Sequence, residues 1–566
     1  MAANGKSGKV GGFLGMIEKA GNALPDPAML FFYGCILIMI VSHLGTMAGW
    51  TVQPIRLQEV LTPALDASGQ PMIDAATGET VMENVMDERT GRIKTELVPA
   101  GDPITARSLL TSDGLYWCIS TMVQNFVRFP PLGIVLVAML GVGLAEKTGL
   151  FDALIKGMAL IVPGKFLTPA VVLIGILSNL ASDAGYIILP PLAAALYMAS
   201  GRSPLAGIAA AFAGVSAGFS ANFLIGGTDA LIAGITQINA NILDEGYSVA
   251  ATCNWYIMIA STFVLTGVGW FVSGAIVEPR LNARPEEDGG PRPGTKVDRS
   301  AMHLTQEEAK GLRWAGVALA VMLAALAALI FIPGAPLHAD GIDPATGRMS
   351  KRWVVTIVPI VFFGFLIPGT AYGVAVGQIK SQRDAITCMT NAMRSMAPVI
   401  TMSFFAAQFI AYFTHSNLGN MLAIVGGTTL ASMDMSPMII IIAFILLTML
   451  LNLLISSMSA KFVLMAPIFV PMFMILGISP ELTQAAYRIA DSVTNIVTPM
   501  NTYMIVILAV IQKFAPKAGV GTLVSIMIPY SVIFGIVWCL FLLGWIWLDL
   551  PLGPGGVSLW YTPTAQ

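Results

Sequence analysis

The chain has 566 residues, 56% of them hydrophobic and 11% charged, with a formal net charge of −2 and a mean hydropathy of +0.77. Soluble domains carry about 25% charged residues, so this composition excludes a water-soluble globular protein and fits a polytopic membrane protein. The charge balance argues against a nucleic-acid partner. Five scattered cysteines with no CxxC, and four histidines without ligand spacing, give no disulfide framework or metal centre.

Residues 1–27 carry Lys6, Lys9 and Lys19, which places this N-terminal segment in the cytoplasm by the positive-inside rule. A first transmembrane helix is expected over 28–50, too long for a signal-peptide core. The polar insert 51–108 is richer in Asp and Glu than in Lys and Arg, which suits the external side. Apolar spans resume in a first repeat over 109–277, with an amphipathic stretch at LFDALIKGMALIVPGK and an interrupted segment at NLASDAGYIILPP. The linker 278–313 is basic and rich in Pro and Gly, hence cytoplasmic. Two scaffold spans follow over 314–379, then an amphipathic stretch from Lys380 to Met396 opens a second repeat over 380–549, before the tail 550–566.

Sliding the chain on itself by 276 positions pairs GRSP at Gly201–Pro204 with GISP at Gly477–Pro480. It also pairs Pro191 with Pro467, Ser216 with Ser492 and Tyr186 with Phe462. Duplicated halves with helices broken at equivalent places are the pattern of a secondary transporter, and the basic linker between them suggests an inverted relation. Ordinary kinked helices are the bland alternative.

Each half carries a small polar tip in an apolar run: Asn179, Ser182 and Asp183 in the first, Asn452, Ser456, Ser457 and Ser459 in the second. A run that turns at such a tip can form a re-entrant hairpin, whose amides and helix-end dipoles attract anions. A second break follows each tip, GVSAGFSANF and DSVTNIVTPMN, the latter with Asn495 and Pro499. Pro499 frees a carbonyl, and freed carbonyls with Asn side chains and Asp491 are hard oxygen ligands for a small cation. Arg488 and Asp491 share a helix face. They could neutralise each other, or Arg488 could fork a substrate carboxylate while Asp491 takes Na⁺ or H⁺, or Arg488 could hold backbone carbonyls. Asp183 could cap a backbone amide or carry the coupling ion. Asp229 reads as an interfacial cap. Lys461 could snorkel, pair with Asp491 or meet an anion.

SDAGYIILPPLAAALY, the SxSAK tip and RIADSVTNIVTPMNTY resemble the AbgT family of aminobenzoyl-glutamate transporters over nearly the whole chain. The resemblance implies an all-α polytopic membrane protein of two inverted-topology repeats, with about nine transmembrane helices and two re-entrant helical hairpins near 183 and 459. It implies a homodimer in the bacterial inner membrane that transports p-aminobenzoyl-glutamate, with export of sulfonamide antimetabolites by some members. Asp183, Ser459, Pro480, Arg488, Asp491 and Pro499 match the family's site residues, as does Asn452 on the second hairpin. Where the family has Trp after SAK, this chain has Phe462, which keeps a ring for stacking but loses the indole donor.

The expected function is ion-coupled transport of such aromatic carboxylates by alternating access, with Asn452, Asp491 and Asn495 holding Na⁺, or Asp491 and Asp183 carrying protons, and no other cofactor. Transport of small di- or tricarboxylates is the rival. The absence of rings of like charge argues against a channel, and the serines have no general base at a suitable spacing for an enzyme.

Overall fold

The computed structural model describes residues 25–561 except 65–69, 74–79, 88–91, 94, 100, 162–163, 182–183, 293–303, 343–348 and 556. Its helices are α1 (Pro27–Met47), α2 (Ser112–Val127), α3 (Pro130–Lys147), α4 (Leu150–Ile161), α5 (Leu167–Leu177), α6 (Ala184–Ala199), α7 (Pro204–Phe212), α8 (Gly227–Ala240) and α9 (Trp255–Val272). After the linker come α10 (Gln306–Phe331), α11 (Ile357–Ala375), α12 (Gln382–Ser395), α13 (Ala397–His415), α14 (Leu418–Ser432) and α15 (Pro437–Asn452). The chain closes with α16 (Met458–Ile475), α17 (Pro480–Thr494), α18 (Tyr503–Gln512) and α19 (Val520–Trp547). Among the described residues, eight helical stretches are long and apolar enough to cross a membrane, α2 and α3 counting as one and α16 among them.

Local sequence sets many boundaries. Asp26 accepts from the Ala28 amide and Pro27 fills the first turn of α1. The amphipathic stretch after Lys380 is α12, closed by a reciprocal Ser381–Asp384 capping box. The first scaffold span starts earlier than its apolar run, because Thr305 and Glu308 cap α10 in the same way.

The insert departs from the all-α expectation. Thr51–Val52 pairs with Ile104–Thr105, Ile55–Glu59 with Thr95–Pro99, Leu61–Pro63 with Met82–Asn84, and Met86–Asp87 with Arg92–Ile93, all antiparallel. The first two pairs are nested and form the stem of a ribbon, and the last two are successive hairpins enclosed by it. Its base is anchored by Val52, Ile55, Leu97 and Ile104, which pack on Ala423 and Ile424 of α14.

The repeat at offset 276 is visible in the backbone. α6 ends where the Arg202 amide reaches the Tyr197 carbonyl at 2.9 Å, and α16 ends where the Ile478 amide reaches the Phe473 carbonyl at 2.9 Å. Between them lie Gly201 at φ +70° and Gly477 at φ +75°, the left-handed conformation that closes a helix in this motif. Ser203 and Ser479 then stand at the N-caps of α7 and α17, with Pro204 and Pro480 in the first turns. The packing is reciprocal as well: α8 lies on α16 and α17, whereas its equivalent α18 lies on α6 and α7. Each half therefore packs one of its helices, α8 or α18, against the core of the other.

A buried polar stripe on α17

Helix α17 carries Glu481, Gln484, Arg488 and Asp491, continued by Asn495 just past its end, at spacings of three and four that bring all five onto one face. All five are buried, so each needs a partner. The structure supplies a different one for each. Glu481 accepts from the Tyr247 hydroxyl at 2.8 Å, and Gln484 donates to Asn254 Oδ1 at 2.9 Å while accepting from Thr236 at 2.7 Å.

Arg488 and Asp491 do not neutralise each other. Arg488 Nη2 lies 2.5 Å from Asp229 Oδ1 on α8, and Asp491 Oδ1 lies 2.6 Å from Lys461 Nζ on α16. The reason is geometric, since a buried guanidinium and carboxylate each meet an opposite charge on the helix packed against their own side of the stripe. Asp229 is accordingly more than an interfacial cap: it is 4% exposed, and its second oxygen accepts from the Gly226 amide at 2.6 Å while the first takes Arg488.

Two broken segments meet at the foot of the stripe, residues 453–457 between α15 and α16 and residues 495–502 between α17 and α18. Thr498 donates to the Leu453 carbonyl at 3.1 Å and Ser456 to the Met500 carbonyl at 3.0 Å. Asn452 is the hub. Its amide nitrogen lies 2.6 Å from the Asp491 carbonyl, 2.7 Å from Thr494 Oγ1 and 3.0 Å from Asn495 Oδ1, while its oxygen accepts from Lys461. Lys461 Nζ also lies 3.5 Å from the Ile455 carbonyl. The acceptors around Nζ are a carboxylate, an amide oxygen and a carbonyl, the oxygens a hard cation takes, and Asp491 Oδ2 is buried with no partner.

The two halves also interlock through their breaks. The Ser220 amide donates to Ser492 Oγ at 3.2 Å, and Asn501 donates to Ser216 Oγ at 3.3 Å. Ser216 and Ser492 are equivalent by the repeat, so each half's serine is held by the other half's broken segment.

Of the remaining expected residues, Pro480 occupies the first turn of α17, and Pro499 sits in the break beyond it. Ser459 is half-buried in the first turn of α16, which Ser457 caps at the Ala460 amide. Phe462 is fully buried with its ring 4.4 Å from that of Tyr487, so in this conformation it packs within the protein. Asp183 and Ser182 lie outside the described residues. Glu481 and Gln484 are not among the expected residues, and Lys461, for which pairing with Asp491 is one of three expectations, takes that partner. The five-residue polar periodicity of α17 was the signal available for the first two.

A cavity of about 240 Å³ opens beside the 453–457 segment, lined by Asp26, Phe31, Leu454, Ser456, Ser457 and Met500 among others. Arg488 faces a much smaller one of about 10 Å³, shared with Ser220, Asn254 and Trp538, which is the room one water needs.

The profile described as the AbgT putative transporter family matches residues 12–560. The chain belongs to the AbgT family. It is 35% identical over 555 residues to the p-aminobenzoyl-glutamate transport protein of Escherichia coli K12, covering 98% of both chains. Among solved structures it is similar to the Alcanivorax borkumensis YdaH transporter, with a TM-score of 0.79 and 37% identity over 94% of this chain and all of that one. It is likewise similar to Neisseria gonorrhoeae MtrF, described as illuminating a class of antimetabolite efflux pumps, with a TM-score of 0.80 and 39% identity over 96% of this chain and 100% of that one. As an AbgT member the chain is a multi-pass membrane transporter and not an enzyme.

Proposed function

We propose that this transporter moves p-aminobenzoyl-glutamate-like aromatic carboxylates by alternating access, coupled to a cation. The name of the Escherichia coli relative supports the substrate class, and the MtrF likeness supports export of antimetabolites as a further use of the same path. The observation that carries the reading is the charged stripe of α17, buried where the two halves exchange helices. Intramembrane charges of this kind mark substrate and ion pathways.

In this account the repeats are inverted and the segments around 183 and 453–457 are the tips of re-entrant hairpins. The two charged pairs have separate tasks. Arg488 binds the substrate's carboxylate with its planar fork, and Asp229 holds that fork in the substrate-free state. The closed surroundings of Arg488 fit an occluded conformation that must open for substrate to arrive. Asn452, Asp491 and Asn495 form the cation site, Na⁺ being the ion their oxygens suit, while proton carriage by Asp491 and Asp183 is the alternative. Ser459, Pro480 and Pro499 shape the path. The protein works as a homodimer in a bacterial inner membrane, with its N-terminus in the cytoplasm and the ribbon outside.

One observation favours the rival substrate class of small di- and tricarboxylates: Phe462 is fully buried and packed against Tyr487. Competition for labelled p-aminobenzoyl-glutamate uptake separates the two. Aromatic carboxylates should compete and citrate or succinate should not; the reverse order would replace the aromatic reading with the aliphatic one.

A further inference from the structure

The oxygen cage between Asn452 and Asp491 already contains a cation, and it belongs to the chain. Lys461 Nζ lies 2.6 Å from Asp491 Oδ1 and 3.5 Å from the Ile455 carbonyl, and it donates to Asn452 Oδ1. The Lys461 side chain is 1% exposed and that of Asp491 fully buried. A buried ammonium ligated by three oxygens, with the Tyr487 ring 5.7 Å from Nζ, occupies the place in which a coupling cation of the same charge would be ligated. Asp491 Oδ2, buried and without a partner, is a further ligand oxygen that the ammonium leaves unused.

We propose that Lys461 is a tethered competitor of the coupling cation, filling the site in the cation-free state and withdrawing when Na⁺ binds. The proposal rests on the cation-coupled reading above. One carboxylate balances one positive charge in a low-dielectric interior, and an unbalanced second charge there is costly. Na⁺ therefore enters only as Nζ leaves. The exit is visible in the structure. Ile455, whose carbonyl is the third ligand of the ammonium, also lines the cavity of about 240 Å³, as does Ala460, the residue before Lys461. The flexible four-carbon stem allows Nζ to move past the Ile455 carbonyl toward that space. Cation binding would then deliver a positive charge to the cavity beside Ser456 and Ser457, where an anionic substrate gains from it. Occupancy of one site would be felt at the other through a single side chain, which is the differential interaction that coupling requires.

The test is calorimetric titration of NaCl, replacing choline chloride, into the purified full-length protein. Lys461→Met keeps the apolar stem and removes the charge, and should bind Na⁺ at least tenfold more tightly than the unaltered protein. Lys461→Arg keeps the charge and should bind it no more tightly. In Lys461→Met, Na⁺ should also cease to enhance p-aminobenzoyl-glutamate affinity. Unchanged or weaker Na⁺ affinity in Lys461→Met, or no Na⁺ binding by any form, would overturn the proposal. If Lys461→Met is not monodisperse, Lys461→Gln replaces it with the same expectations. The titration needs no substrate, so its failure is distinct from a failure of gradient-driven uptake in the unaltered protein.

Discussion

Arg488 and Asp229, 259 residues apart in the chain, meet at 2.5 Å between the guanidinium and the carboxylate, both almost completely buried. This pair ties α17 of the second half to α8 of the first. Removing one member of a buried pair leaves the other uncompensated, at a cost of about 3–5 kcal/mol. Asp229→Asn keeps the shape and an acceptor oxygen, so the lower end is expected, read as a fall in thermal unfolding midpoint in detergent. Asp229→Asn with Arg488→Met should recover part of that stability without recovering uptake. Equal stability of Asp229→Asn and the unaltered protein would show that the pair contributes little.

Arg488→Lys separates charge from geometry. Lysine supplies a point charge and cannot reproduce the planar fork. Uptake should fall by about tenfold or more, the order expected from losing one charge-assisted hydrogen bond, while gel-filtration behaviour is retained. Near-normal uptake by the folded variant would remove Arg488 from substrate binding.

The equivalent turns before α7 and α17 offer a test of the duplicated scaffold itself. A Cβ on Gly201 or Gly477 would meet nothing within 4 Å, so alanine there costs only the left-handed backbone, about 1–2 kcal/mol. Gly201→Ala and Gly477→Ala should lower the unfolding midpoint by similar amounts, and the double variant by their sum.

Asn452 and Ser459 should behave differently. Asn452→Ala removes an acceptor of the Lys461 ammonium and a donor to the Asp491 carbonyl of α17, and each buried polar group left unsatisfied costs about 1–3 kcal/mol. A lower unfolding midpoint and loss of Na⁺ response are both expected. Ser459 is half-buried, so Ser459→Ala should leave stability within about 0.5 kcal/mol and act only on the substrate's KM. A stability loss in Ser459→Ala comparable to that of Asn452→Ala would assign Ser459 a structural role.

The repeat was legible because its markers are local. Gly201 and Gly477 are needed for one backbone conformation, and the Ser-Pro pairs after them start the next helices, so sequence identity and geometry coincide. The partner of Arg488 was not legible, since Asp229 reaches it only through the packing of α8 on the other half; Lys461, on α16 of the same half as Asp491, was open to that pairing among others, and the three-residue spacing along α17 left a mutual Arg488–Asp491 pair equally open. The ribbon was hidden because its strands are short, charged and interrupted, so no alternating apolar face marks them. Its base on α14 buries Val52, Ile55, Leu97 and Ile104 against Ala423 and Ile424.

The central claim is cation-coupled transport through the site on α17, and gradient-driven uptake of labelled p-aminobenzoyl-glutamate into liposomes holding the purified protein tests it most directly. With Na⁺ and proton gradients imposed separately, the account predicts saturable uptake driven by the Na⁺ gradient and abolished by Asp491→Asn. Uptake that follows neither gradient, or that persists in folded Asp491→Asn, would contradict it.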